Sequence, residues 1–177
     1  MPRPFLTSFL IKTRIMKQNN VTKTVAERVA ELLNKAYSEP KLLFHTGGTK
    51  MFLEDGKLPE ESDESLEQVI TRYVEGCDAF HELRCKMHEA SQPYLRQKME
   101  NGKLVRYIDY DEWERQDSEE CLWLAIAEQN SFHALDSIER SVDLKIAQLY
   151  AKKGVEIPPE PETDPILKKK YLIKKTQ

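Results

Sequence analysis

Apolar residues recur at alternating steps of three and four from Leu66 through Val69, Tyr73, Gly76, Phe80, Leu83, Met87 and Ala90 to Tyr94. A second stripe of the same period runs Leu122, Ala125, Gln129, Phe132, Leu135, Ile138, Val142, Ile146 and Leu149. This is the period of a helix packed against another helix, and it leaves few alternatives for a chain of 177 residues. It predicts an all-α fold: a long antiparallel helical hairpin, each arm of about 30 residues and so roughly 45 Å long at the rise of an α-helix. Ile70, Val74 and Cys77 broaden the first stripe. Two helices cannot bury stripes this wide by themselves, so a third element or a partner must cover the remainder.

A shorter N-terminal helix supplies part of that cover. Thr24 precedes Glu27 by three residues, the spacing of a capping box, and Val25, Val29, Leu32, Leu33, Ala36 and Tyr37 follow on one face. The reading gives a basic leader over 1–23 and a helical domain over 24–154. Within that domain it places a helix over about 24–38, a connector over 40–61, and long helices over about 63–100 and 111–153. Gly47-Gly48, Asp55-Gly56 and Pro59 mark the connector as irregular. Pro93 is expected to kink or interrupt the second helix, with Asn101-Gly102 as its C-terminal signature. The stretch Lys103 to Tyr110 alternates apolar and polar residues but is taken as too short to carry a sheet. Asp111 and Glu114 open the third helix, where carboxylates suit the positive end of the helix dipole. Pro158, Pro159, Pro161 and Pro165 then forbid a helix, leaving an extended arm over 155–177 that ends in lysines.

Charge is segregated along the chain. No Asp or Glu occurs before Glu27, while Arg3, Lys12, Arg14 and Lys17 are interleaved with Phe5, Phe9, Leu10, Ile11, Ile15 and Met16. The other end carries Lys168, Lys169, Lys170, Lys174 and Lys175. Between them lie two acidic runs, Glu54 to Glu64 and Asp109 to Glu120. A net charge of −3 and a pI near 5.9 exclude a protein whose whole surface binds nucleic acid. The basic extensions remain suited to acidic partners, whether protein, anionic lipid or RNA. Three cysteines without a secretory signal point to a reducing compartment. The longest apolar run, Cys121 to Ala127, is far too short to span a bilayer.

The motifs that could carry chemistry are weak. Cys77, His81, Cys85 and His88 sit near one side of a helix, but they spread over about 16 Å, too far to share one tetrahedral zinc. Asp78-x-x-His81 lacks the second carboxylate–histidine element of a di-iron bundle, because the third helix offers Asn130-x-x-His133. Cys85 and Cys121 flank the turn near Gly102 and stand as candidates for a cross-hairpin disulfide, with free thiols the favoured state. His45 to Lys50 lacks the spacing of a phosphate loop and reads as a tight turn. Neither a catalytic constellation nor a cofactor motif emerges.

Trp113 and Trp123, near Tyr107 and Tyr110, gather at the turn end of the hairpin, where they either plug that end or anchor a partner. The expectation is a non-catalytic accessory subunit of a large multiprotein complex. Its setting is expected to be a mitochondrial respiratory-chain or ATP synthase assembly, with the cytoplasm as the other compartment. The alternatives are a mitochondrial ribosomal protein holding RNA with its arms, or a free-standing helical adaptor on a membrane surface. The residues expected to meet partners are Arg3, Lys12, Arg14, Lys17, Trp113, Trp123, Lys168, Lys169 and Lys170.

Overall fold

The computed structural model of the chain describes residues 23–161. Residues 1–22 and 162–177, and with them Arg3, Lys12, Arg14, Lys17, Lys168, Lys169 and Lys170, lie outside the described residues. The fold is mostly helical, with four α-helices and one small antiparallel sheet among the described residues.

Helix α1 (Val25–Ser38) begins as its sequence requires. The Thr24 hydroxyl accepts from the Glu27 amide, and the Glu27 carboxylate accepts from the Thr24 amide at 2.7 Å. Helix α2 (Leu66–Ser91) starts with the same device, Ser65 paired with Gln68. It stops well short of the expected boundary near residue 100. Pro93 has no amide hydrogen to continue the ladder, and Gln92–Tyr94 tightens into a 3₁₀ turn.

The next segment overturns the reading that it was too short for a sheet. Strands β1 (Leu95–Glu100) and β2 (Lys103–Ile108) pair antiparallel, with Met99 opposite Leu104 and Leu95 opposite Ile108. Asn101 and Gly102 form the two-residue turn, both at positive φ (51° and 74°), which matches the twist of a hairpin. These residues were read as a helix C-terminus because Asn and Gly also serve there; the flanking alternation decides for the hairpin.

The third predicted helix is broken once. Helix α3 (Tyr110–Gln116) ends and α4 (Ser118–Lys152) begins at Asp117, whose φ of −145° is not helical. Asp117 donates its amide to the Trp113 carbonyl and accepts from the Glu120 amide, so one residue closes a helix and opens the next.

The main core joins every long element at one end of the molecule. Val29 and Ala36 of α1, Val69, Ile70 and Val74 of α2, and Val142, Ile146 and Ala147 of α4 are buried together. Gly76 of α2 lies against Leu135 and Ile138 of α4, where a β-carbon would come within 3.0 Å of the leucine side chain. Arg28 reaches across from α1 to α2 and donates two hydrogen bonds, of 2.7 and 2.5 Å, to Asp78.

The connector is pinned rather than loose. Asp143, on α4 and wholly buried, accepts from the amides of Leu43 (2.8 Å), Phe44 (3.1 Å) and His45 (2.9 Å), and it bonds the His45 ring through Nδ1 at 2.7 Å. Nearby, Tyr150 donates to the Ala36 carbonyl and Gln148 to the Pro59 carbonyl. The Gly47-Gly48 turn then receives the segment after α4. The Thr49 amide donates to the Ile157 carbonyl and the Glu160 amide to the Thr46 carbonyl, while Ile157 is buried in the core. Gly48, at φ +67°, is required here because a β-carbon would strike the Ile157 carbonyl oxygen and the Pro159 nitrogen at 2.6 Å.

Two measurements follow from this packing. Asp143→Ala strands three backbone amides in the interior and should lower the unfolding free energy by about 3 kcal/mol. Urea titration would show the midpoint falling at unchanged slope, with a smaller loss for Asp143→Asn, which keeps one acceptor oxygen. The Arg28 guanidinium holds the Asp78 carboxyl below the ordinary aspartate range, Arg28 hydrogen bonding being the main cause. A depressed carboxylate stabilises the fold above its unfolded pKa and loses that contribution as pH falls through the folded value. The stability gap between wild type and Asp78→Asn, present at neutral pH, should therefore close on acidification through the carboxylate range, as read from urea midpoints across pH.

Candidate partner-binding face

The end of the molecule away from the main core is built on aromatic rings. Trp113 of α3 is 1% exposed and stacks between Tyr94 at 5.8 Å and Tyr110 at 6.1 Å. The Asp109 amide donates to the Tyr94 carbonyl, and Arg96 bonds Glu112 at 2.6 Å, which fastens the root of the hairpin to α3. Of the two tryptophans nominated as partner contacts, Trp113 therefore serves as the plug, with no surface left to offer. Trp123 lies in solvent at 61% exposure.

Trp123 has company. Leu122 is 60% and Ile126 49% exposed on the same face of α4, with Glu119 and Glu120 beside them lining a shallow open depression. This corrects the phase of the second apolar stripe. Leu122, Ala125 and Gln129 were assigned to the packed face, yet all three are exposed, whereas Leu124 is buried and Glu128 half-buried. The first turns of α4 carry apolar side chains all round, so period alone cannot choose the inner side. From Leu135 onward the expected and buried positions agree at Leu135, Val142 and Ile146. Burial pushes the Glu128 carboxyl upward, with Arg84 pulling the other way.

The hairpin projects a second apolar surface. On one face Met99 and Leu104 form a cross-strand pair at the tip, 67% and 60% exposed, with Arg106 next along the strand. The opposite face carries Arg96, Lys98 and Lys103 against Glu100, with Lys98 5.4 Å from the Tyr107 ring centroid. Of this hairpin the sequence singles out only Tyr107, beside the tryptophans. The signal was there, Asn-Gly between alternating runs, but it was read as a helix end.

The sites weighed for chemistry resolve differently. Among the described residues Cys77, Cys85 and Cys121 form no disulfide, and the candidate cross-hairpin pair is not formed. Cys77 is largely buried, and that burial pushes its thiol up. Cys85 is exposed with its sulfur 3.7 Å from His81 Nε2, a local contact one helical turn apart. Among the described residues no three His, Cys, Asp or Glu side chains gather to hold a metal. His45 borders a cleft formed with Pro40, Lys41 and the Ile157–Pro161 segment. Burial pushes its partner Asp143 up, while hydrogen bonds from His45 and the backbone pull it down. That carboxylate holds the connector against α4 and fixes the His45 ring through Nδ1.

No helix of the described residues is long and apolar enough to cross a membrane. Comparisons with protein-family models, with curated proteins and with solved structures each return no match for this chain.

The contrast between the tryptophans is measurable. Trp113→Ala should cost about 3–5 kcal/mol of stability, whereas Trp123→Ala should stay within about 0.5 kcal/mol. In dilute solution Trp113→Phe leaves only the exposed indole, and its emission should be red-shifted and readily quenched by iodide. Trp123→Phe should emit further to the blue and resist quenching.

Proposed function

We propose that this chain is a non-catalytic structural subunit of a larger multiprotein assembly. The observation that carries the reading is the pair of apolar surfaces left open at one end, Leu122-Trp123-Ile126 on α4 and Met99-Leu104 on the hairpin. Exposed large side chains scattered singly need no explanation, but clusters bordered by charge are the usual form of a docking site. In this reading α2 and α4 act as an antiparallel helical hairpin, a stiff spacer that holds the docking end away from the main core.

The setting is a mitochondrial respiratory-chain or ATP synthase assembly. It rests on the acid-free leader with Arg3, Lys12, Arg14 and Lys17, whose composition suits an organelle address or an anionic surface. The lysines at 168–170 provide a second cationic extension for acidic protein or lipid.

Gentle extraction of tagged protein from its native cells, followed by a native gel and mass spectrometry, tests the proposal. The chain is expected to run within a stable complex that resists ribonuclease and co-fractionates with the organelle. Migration without any other chain would overturn the subunit reading. Release by ribonuclease would instead favour the ribosomal alternative.

A further inference from the structure

We propose that the docking end binds a second copy of this chain, the hairpin of each protomer lying on the α4 patch of the other; this rests on reading that end as a docking face. Three features of the two surfaces converge on this occupant. Both are apolar at the centre: Met99 and Leu104 on the hairpin, and Leu122, Trp123 and Ile126 on α4. Their charges are opposite. On the Met99–Leu104 face the hairpin carries one charged side chain, Arg106, and Lys103 stands beside the turn at the tip, while the patch is bordered by Glu119 and Glu120. Both surfaces are open to solvent at once within one molecule, so they do not cover each other in cis.

The acids of α4 have a local explanation, since carboxylates are favoured in a first helical turn. The three apolar side chains beside them do not, because exposed positions there call for polar residues. The hairpin poses the matching problem. A two-stranded ribbon is marginal in water, and this one is fastened only at its root, through Arg96–Glu112 and the bond from Asp109 to Tyr94. Its tip residues, Gln97 to Leu104, are all exposed. Seating the tip on an apolar patch covers Met99 and Leu104 and supports the strands.

Exchange of hairpins about a twofold axis satisfies both surfaces twice, because each protomer supplies one ribbon and one patch. Opposite charge at the border then sets register and excludes ribbon-to-ribbon and patch-to-patch pairing.

Charge reversal in trans tests the geometry on the full chain. The wild-type protein is expected to show a concentration-dependent monomer–dimer equilibrium by sedimentation, with Trp123 emission moving to the blue as dimer forms. Lys103→Glu with Arg106→Glu makes the ribbon acidic, and Glu119→Lys with Glu120→Lys makes the patch basic. Each double variant alone should associate at least about tenfold more weakly than wild type. Mixed together they should recover a heterodimer of near wild-type affinity, since each ribbon then meets a patch of opposite sign. Circular dichroism melts confirm that both remain folded, and Trp123→Ala, which leaves every charge in place, should also weaken the dimer.

A wild-type chain that stays monomeric over the whole accessible range, or a mixture no tighter than its components, would overturn the proposal. The docking reading itself is tested separately. If the protein is monomeric yet Leu122→Asp strips other chains from its native complex, the second copy is the wrong occupant of a true docking face. If neither self-association nor other partners respond to these changes, both readings fall.

Discussion

The Asp143 carboxylate is the interaction on which the rest of the structure leans. Burying an acid is costly unless every lone pair finds a donor, and here three successive backbone amides and an imidazole supply them. The bonds hold Leu43 to His45 against α4, and the consequences spread from there. Leu42 and Phe52 enter the core, and Gly48 is brought against the Ile157 backbone. Ile157 itself closes the core from the other side. A connector rich in glycine and proline thus becomes a fixed wall, because one side chain on a helix replaces the hydrogen bonds that its own backbone cannot make.

This arrangement divides the molecule by stability as much as by shape. One end has three helices, the connector and the Ile157 segment wrapped around a shared core. The other rests on a stack of three rings and a hairpin fastened at its base. Local opening concentrates where buried contacts are few, and binding surfaces are commonly drawn from such regions. The lightly built end is also the one that leaves Leu122, Trp123, Ile126, Met99 and Leu104 uncovered. An element that is marginal alone and apolar on its free face gains most from a partner, which is why that end bears the function proposed here.

Much of the helical framework was legible from residues alone. Thr24 with Glu27 starts α1 at the expected place, and the stripe from Val69 to Phe80 faces inward as its period requires. Pro93 was recognised as an interruption, but what followed was taken for more helix, since Asn-Gly can end a helix as well as turn a hairpin. The phase of α4 failed for a different reason. Leu122, Trp123, Leu124 and Ile126 spread round the helix, and only the folded packing selects Leu124 as the buried one. Asp143 lies one position off the apolar stripe, where an acid reads as solvated, and only its bonds to Leu43 and His45 mark it as buried.

By itself, then, the sequence determined the helices, their caps, the breaking power of proline and the segregation of charge. Those properties are local, decided by residues within a turn or two of one another. Only the tertiary structure decided which side of α4 is buried, that Trp113 is a plug while Trp123 meets solvent, and that the glycine-rich connector is locked. Each depends on residues far apart in the chain, as with Asp143 and His45 or Gly48 and Ile157, and no periodicity records which distant groups will meet.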